Sequence, residues 1–211
     1  MKRMDGDKFT IIPAKPLNQS KTRLAAVLSL NERAELSRHL LQRTLHLARQ
    51  VGQVVVISRD AAVRQLAKQA GAWALVEAGE DLNKALQQAL AWVVAQGSQA
   101  ILILPGDLPL LQLSDLTEIV EAGQYTASIV IAPSQRLDGT NALFLRPPGL
   151  IPFAFGSGSF EKHQQEARAI GIEPVIYRSL TVALDLDLPA DLIALQNWSY
   201  EDFDIVPKLC N

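Results

Sequence analysis

The chain has 211 residues, 48% of them hydrophobic and 20% charged, with a net charge of −2. That is core enough for one α/β domain rather than two, and it lacks the basic excess of a nucleic-acid platform. No apolar run approaches membrane-spanning length and no secretory h-region follows Met1, so no membrane partner is expected. A single cysteine, Cys210, excludes a disulfide framework and a cysteine-based zinc site and points to the cytoplasm.

Residues 9–14 read as a short apolar strand ended by proline, and a loop carrying Lys15, Lys21 and Arg23 follows. Three cations directly after a first strand stand where α/β nucleotide binders hold phosphates; a solvated basic loop is the plainer alternative. Neither G-x-G-x-x-G nor a Walker A pattern is present, which excludes the Rossmann and P-loop solutions. Ser29 and Glu32 form a capping box for a helix reaching about residue 50, with Leu36, Leu40, Leu41, Thr44, Leu45 and Ala48 on its core face. His39 and His46 on that helix read as surface or boundary residues. Residues 53–58 form a second buried strand, Asp60 opens a helix over 61–70, and 71–76 form a third short strand. Asp81 caps a helix that runs to about residue 96 and stops at Gly97. Asn83, in its first turn, faces a ligand or water.

The central strand is Ile101-Leu-Ile-Leu104, an apolar run buried on both faces. It stops at Pro105-Gly106, and the next residue is Asp107. A carboxylate just past the C-terminal end of such a strand stands where open α/β sheets bind their ligands. The alternative, a cap for the following helix over 114–122, is weakened because Ser114 and Asp115 serve that end. Residues 126–132 form another buried strand. Asp138-Gly-Thr140-Asn141 then combines turn chemistry with hydrogen-bonding side chains ahead of a further apolar strand; a polar hairpin turn is the alternative. Phe155-Gly156-Ser157-Gly158-Ser159-Phe160 is a small-residue loop before a helix over 161–170, a seat for a phosphate or carboxylate, with His163 one turn in. Residues 173–177 and 181–188 read as the last strands. On a strand, Asp185 and Asp187 would share one face, which is costly unless a cation lies between them. Pro189 opens a final helix, and the tail after Trp198 carries no motif.

Asp107, Asp185 and Asp187 together suit Mg²⁺, the basic loop suits a triphosphate, and the glycine–serine loop suits a second anion. Alternating strands and helices place them along one edge of a mostly parallel sheet. The reaction that uses such a set is nucleotidyl transfer. An acceptor phosphate oxygen attacks the α-phosphorus and pyrophosphate leaves, with catalysis by positioning and charge neutralisation rather than a covalent intermediate.

The same residues carry a family resemblance. Pro13-Ala-Lys15 with Ser20-Lys21-Thr-Arg23-Leu, Leu82-Asn83-x-Ala85, Gly106-Asp107-Leu-Pro-Leu and Gly139-Thr140-Asn-Ala-Leu stand in order. Phe155-Gly156-x-Gly-Ser159-x₃-His163 and Leu184-Asp185-x-Asp187-x-Pro-x-Asp-Leu192 complete the series. This order resembles the guanylyltransferases of coenzyme F420 biosynthesis, which activate 2-phospho-L-lactate or phosphoenolpyruvate with GTP. The resemblance spans about residues 12–192. It implies a single-domain, three-layer nucleotidyltransferase fold of the glycosyltransferase-A type, a mostly parallel twisted sheet with helices on both faces. It also implies GTP and a phosphorylated carboxylic acid as substrates and Mg²⁺ as cofactor. Asp107, Asp185 and Asp187 would bind metal, and Lys15, Lys21 and Arg23 the GTP phosphates, with Asn83 on the nucleoside side. Thr140, Gly156 and Ser159 would hold the phosphoacid, while Asp107 and Lys21 carry the catalytic charge. A homodimer is the expectation for assembly. One departure is Leu188, where the family usually has Thr, which removes a hydroxyl beside the two carboxylates. The rival readings are transfer to another phosphoacid, such as 3-phosphoglycerate, or a non-catalytic GTP-binding protein on the same fold. A molybdopterin-type guanylyltransferase is set aside because its Leu-Ala-Gly-Gly loop is absent.

Overall fold

The computed structural model describes residues 8–79 and 81–196. Cys210 and the tail after Trp198 lie outside them. Seven strands form one sheet: β1 (Lys8–Pro13), β2 (Gln53–Ser58), β3 (Trp73–Val76), β4 (Ala100–Ile103), β5 (Ser128–Pro133), β6 (Thr140–Arg146) and β7 (Val175–Ile176). Their order is β3-β2-β1-β4-β6-β5-β7. The first four are mutually parallel, and β6 runs antiparallel between β4 and β5.

The central stretches of β1, β2, β4, β5 and β6 are largely apolar and buried because both faces of the sheet are covered there. On one face, Ile12, Val54, Val56, Leu102 and Phe144 pack against α1 (Leu30–Ala48), α2 (Ala61–Gln69) and α4 (Leu113–Ala122). On the other, Ile11, Val55, Ile57, Ile103 and Leu143 pack against α3 (Leu82–Ala95) and α5 (Ser159–Ala169). Strand alternation divides the two cores, so the expected three-layer arrangement follows from the pleat. α1 begins with the expected box: Glu32 N–H donates to Ser29 Oγ, and Ser29 N–H donates to the Glu32 carboxylate at 2.7 Å.

Several boundaries differ from expectation. α4 is capped at Gln112, whose N–H donates to Asp115; Ser114 is already inside the helix. Thr140 and Asn141 are strand residues of β6 rather than part of the turn, which is the hairpin over 134–139. Ser159 is the first residue of α5 rather than a loop residue. The largest correction concerns residues 181–188, which are not a strand. Ser179 caps a short helix, α6 (Leu180–Ala183), and Asn141 holds its end by donating to the carbonyls of Val182 and Ala183. Asp185 and Asp187 follow in an extended segment outside the sheet.

The period-two pattern there has another cause. Leu184 and Leu186 point into a third core, made with Leu24 and Leu28 of the basic loop, Leu36 and Leu40 of α1, and Leu192 and Leu195 of α7 (Pro189–Gln196). The two aspartates alternate outward. That small core fastens the basic loop, α1 and the aspartate segment to one another.

Candidate active site

The C-terminal ends of the four parallel strands converge on a cleft of about 330 Å³. Lys15 follows β1, Arg59 follows β2, Glu77 follows β3 and Asp107 follows β4, and all four line it. Gly106 lies in the turn that delivers Asp107. A Cβ there would come within 2.9 Å of Leu41 Cδ1, in the core of α1.

The basic loop folds as two 3₁₀ turns, Leu17–Gln19 and Thr22–Leu24. Asp60 secures its start by accepting from Leu17 N–H at 3.1 Å while capping α2. Lys21 stands between the turns in a left-handed conformation, φ 55°. A non-glycine residue holds that conformation only where its surroundings over-determine it. Here they do, because the Lys21 side chain is 3% exposed and its ammonium lies 2.5 Å from Asp107 Oδ2 and 3.3 Å from Asp187 Oδ1. Burial opposes the charge, but the attraction of Asp107 and then Asp187 outweighs it and raises Lys21 above the ordinary lysine value. Arg23 approaches Asp187 from outside at 3.8 Å, with its side chain 67% exposed.

Asp185 faces the same cluster. Its carboxyl is raised above the usual range by burial, and then by the charges of Asp187, Asp107 and Asp191. Among the described residues no three His, Cys, Asp or Glu side chains converge as a ready metal cage. The Lys21 ammonium stands between two of the three expected carboxylates instead.

Asp191 fixes this segment. Its Oδ2 accepts from Asp187 N–H at 2.9 Å and from Leu188 N–H at 2.6 Å. The backbone at Leu188 is thus satisfied without the missing threonine hydroxyl. Asp191→Ala should cost about 1–2 kcal/mol, as loss of a helix cap does, and lower turnover by releasing Asp187. Thermal melts and steady-state rates of the variant check both.

The expected acceptor residues form a second group outside the cleft lining. Thr140 N–H donates to Ser159 Oγ at 2.9 Å, and Thr140 Oγ1 lies 2.9 Å from His163 Nδ1. Gly156 holds φ 126°, open to glycine alone. His163 is fully buried. Ala154 N–H donates to its Nε2 at 3.1 Å, so the proton is on Nδ1 and points to Thr140. Burial, then Lys162, lowers its pKa to about 4. The folded value lies below the unfolded one, so the unfolded chain binds the extra proton. Stability is therefore complete above pH 6.5 and is lost as pH falls towards 4; at pH 5 the loss from this group is about 2 kcal/mol. Urea unfolding at pH 7 and pH 5 should show that difference in the native chain and not in a His163→Gln variant.

Asn83 does not line the cleft, although Leu82 and Ala85 beside it do. Its Nδ2 donates to Phe155 O at 3.1 Å and its Oδ1 accepts from Phe155 N–H at 2.9 Å. It fixes the glycine–serine loop to the start of α3 instead of presenting its amide to a nucleoside. Arg59 and Glu77 were missed by sequence reasoning, yet each directly follows a buried or edge strand, the rule that found Asp107.

A family model described as "Guanylyl transferase CofC like" matches residues 8–197. A phosphoenolpyruvate guanylyltransferase of Rubrobacter xylanophilus is 40% identical over 190 residues, 89% of this chain and 93% of that protein. A 2-phospho-L-lactate guanylyltransferase of Methanocaldococcus sp. (strain FS406-22) is 34% identical over 182 residues, 86% of this chain and 78% of that one. Among solved structures, a Desulfovibrio desulfuricans G20 protein assigned as a nucleotide-diphospho-sugar transferase superposes with a TM-score of 0.77. That match covers 96% of this chain and 93% of the other at 17% identity, a likeness of fold. Among the described residues no helix is long and apolar enough to cross a membrane.

Proposed function

The chain belongs to the CofC-like guanylyl transferase family, and from that premise we propose that it transfers GMP from GTP to phosphoenolpyruvate or 2-phospho-L-lactate, releasing pyrophosphate. The family makes it a nucleotidyltransferase. The observation that carries the finer reading is the Lys21–Asp107–Asp187 cluster lining the cleft, together with Lys15 and Arg59. Cations there neutralise a triphosphate, and the acceptor group of Thr140, Gly156 and Ser159 belongs to the β6 side of the sheet. The resemblance ties such a transfer to coenzyme F420 biosynthesis, in the cytoplasm.

The donor chemistry suits magnesium, although the three carboxylates do not converge as a cage and the Lys21 ammonium stands between two of them. All three side chains offer hard oxygen, and the like-charge crowding that raises Asp185 is what a divalent cation relieves. Asp107 and Asp187, with Asp185 beside them, would hold it. When bound, Mg²⁺ neutralises charge on the triphosphate and on the leaving pyrophosphate. The chain's own contribution is the fixed Lys21 charge, which needs no reorganisation as negative charge moves from the α- to the β-phosphate oxygens. The acceptor phosphate oxygen bonds to the α-phosphorus as the α–β bridging bond breaks, so neither a base nor an enzyme-bound intermediate is needed.

Pyrophosphate release from GTP, compared across phosphoenolpyruvate, 2-phospho-L-lactate and 3-phosphoglycerate, tests this reading. Release with either of the first two is expected. Release with 3-phosphoglycerate alone would transfer the assignment to another phosphoacid.

A further inference from the structure

Glu77 is the cleft residue for which phosphate transfer has no use. Its position is nevertheless tightly specified. Its own N–H donates to Ser58 O at 3.3 Å. Gln88 of α3 brackets it, accepting from Ala78 N–H at 3.1 Å and donating to Val76 O at 2.8 Å. Three hydrogen bonds thus fix the peptide groups on and around Glu77, yet among the described residues its carboxylate meets no donor and no cation. A carboxylate held in a triphosphate cleft repels the phosphates, so it must face another part of the nucleotide.

The strand order says which part. The acceptor residues belong to the β6 side, and Lys21 and Asp107 stand at β1 and β4. A nucleotide whose α-phosphate is at that centre has the cleft over β2 and β3 left for its nucleoside. Glu77, Leu82 and Ala85 wall that end. Leucine and alanine offer an apolar surface to a base plane. Of the common bases, guanine presents two adjacent N–H donors, the ring N1–H and the 2-amino group, which one carboxylate accepts together. Adenine and cytosine put an unprotonated ring nitrogen there, and the carboxylate would repel it.

We propose that Glu77 is the guanine-reading residue, accepting from N1–H and the 2-amino group, with Gln88 as the residue that positions it. The inference rests on GTP being the donor nucleotide. The test is calorimetric binding of GTP, of inosine triphosphate (which lacks the 2-amino group) and of 2′-deoxy-GTP to the native chain and to Glu77→Gln, in magnesium buffer. The native chain should favour GTP over inosine triphosphate by roughly 10- to 100-fold, the discrimination expected of a paired hydrogen bond to a base edge. Glu77→Gln should lose most of that preference and keep its preference between GTP and 2′-deoxy-GTP. An unchanged GTP-to-inosine preference in the variant would overturn the assignment. So would a collapse of the 2′-deoxy preference instead, which would put Glu77 on the ribose. A native chain that shows the Glu77-dependent preference but releases no pyrophosphate would leave the base assignment standing and overturn the transfer reading. No affinity for GTP would overturn both.

Discussion

Lys21→Met is expected to reduce turnover by roughly 10²–10³-fold, the usual effect of deleting a pre-placed charge from a transfer site. The side chain is buried and its ammonium is shared by Asp107 and Asp187, so no water or neighbouring cation takes its place without rearrangement. Removing it leaves Asp107, Asp185 and Asp187 facing one another. Stability should fall by about 1–3 kcal/mol, below the figure for a fully buried pair, because Asp107 and Asp187 are 35% and 43% exposed. Added divalent cation should restore part of that stability but not the rate. Denaturant melts with and without magnesium, set beside initial rates, separate the two effects. A variant that kept native turnover would remove Lys21 from the chemistry.

Asp107→Asn should be nearly as damaging to rate, again roughly 10²–10³-fold, with little loss of fold. The amide oxygen of asparagine still accepts from Lys21, and the turn at Pro105-Gly106 is unchanged, so the melting temperature should stay close to native. GTP affinity should fall much less than turnover. Calorimetric titration with GTP and a pyrophosphate-release assay on the same preparation make the comparison. Unchanged turnover would exclude Asp107 as a metal or phosphate-charge residue.

What the sequence disclosed follows the physics of each signal. Strands β1, β2, β4 and β5 are local apolar runs, and the Ser29 box is local hydrogen bonding, so each could be read without the rest of the chain. Asp107 was legible for the same reason, standing straight after a turn that ends a buried strand. The place of β6 between β4 and β5 was not, since pairing over such separations leaves no local periodicity. Residues 181–188 misled because alternating leucine and aspartate satisfies a strand's period equally well when a side core, and not a sheet, takes the leucines. The Asn83–Phe155 and Thr140–Ser159–His163 contacts join residues 72, 19 and 23 positions apart, so the motif blocks were visible while their mutual commitments were not. Glu77 was passed over because β3 is short and half-exposed, so the strand-end rule that picked out Asp107 had a weaker strand signal to act on.

The most direct measurement is a ³¹P NMR spectrum of the native chain incubated with GTP, Mg²⁺ and phosphoenolpyruvate. Transfer predicts a new diphosphate pair, from GMP joined to the acceptor phosphate, growing in equal amount with pyrophosphate. Unchanged GTP both with phosphoenolpyruvate and with 2-phospho-L-lactate in its place, or GDP and orthophosphate alone, would contradict guanylyl transfer by this cleft.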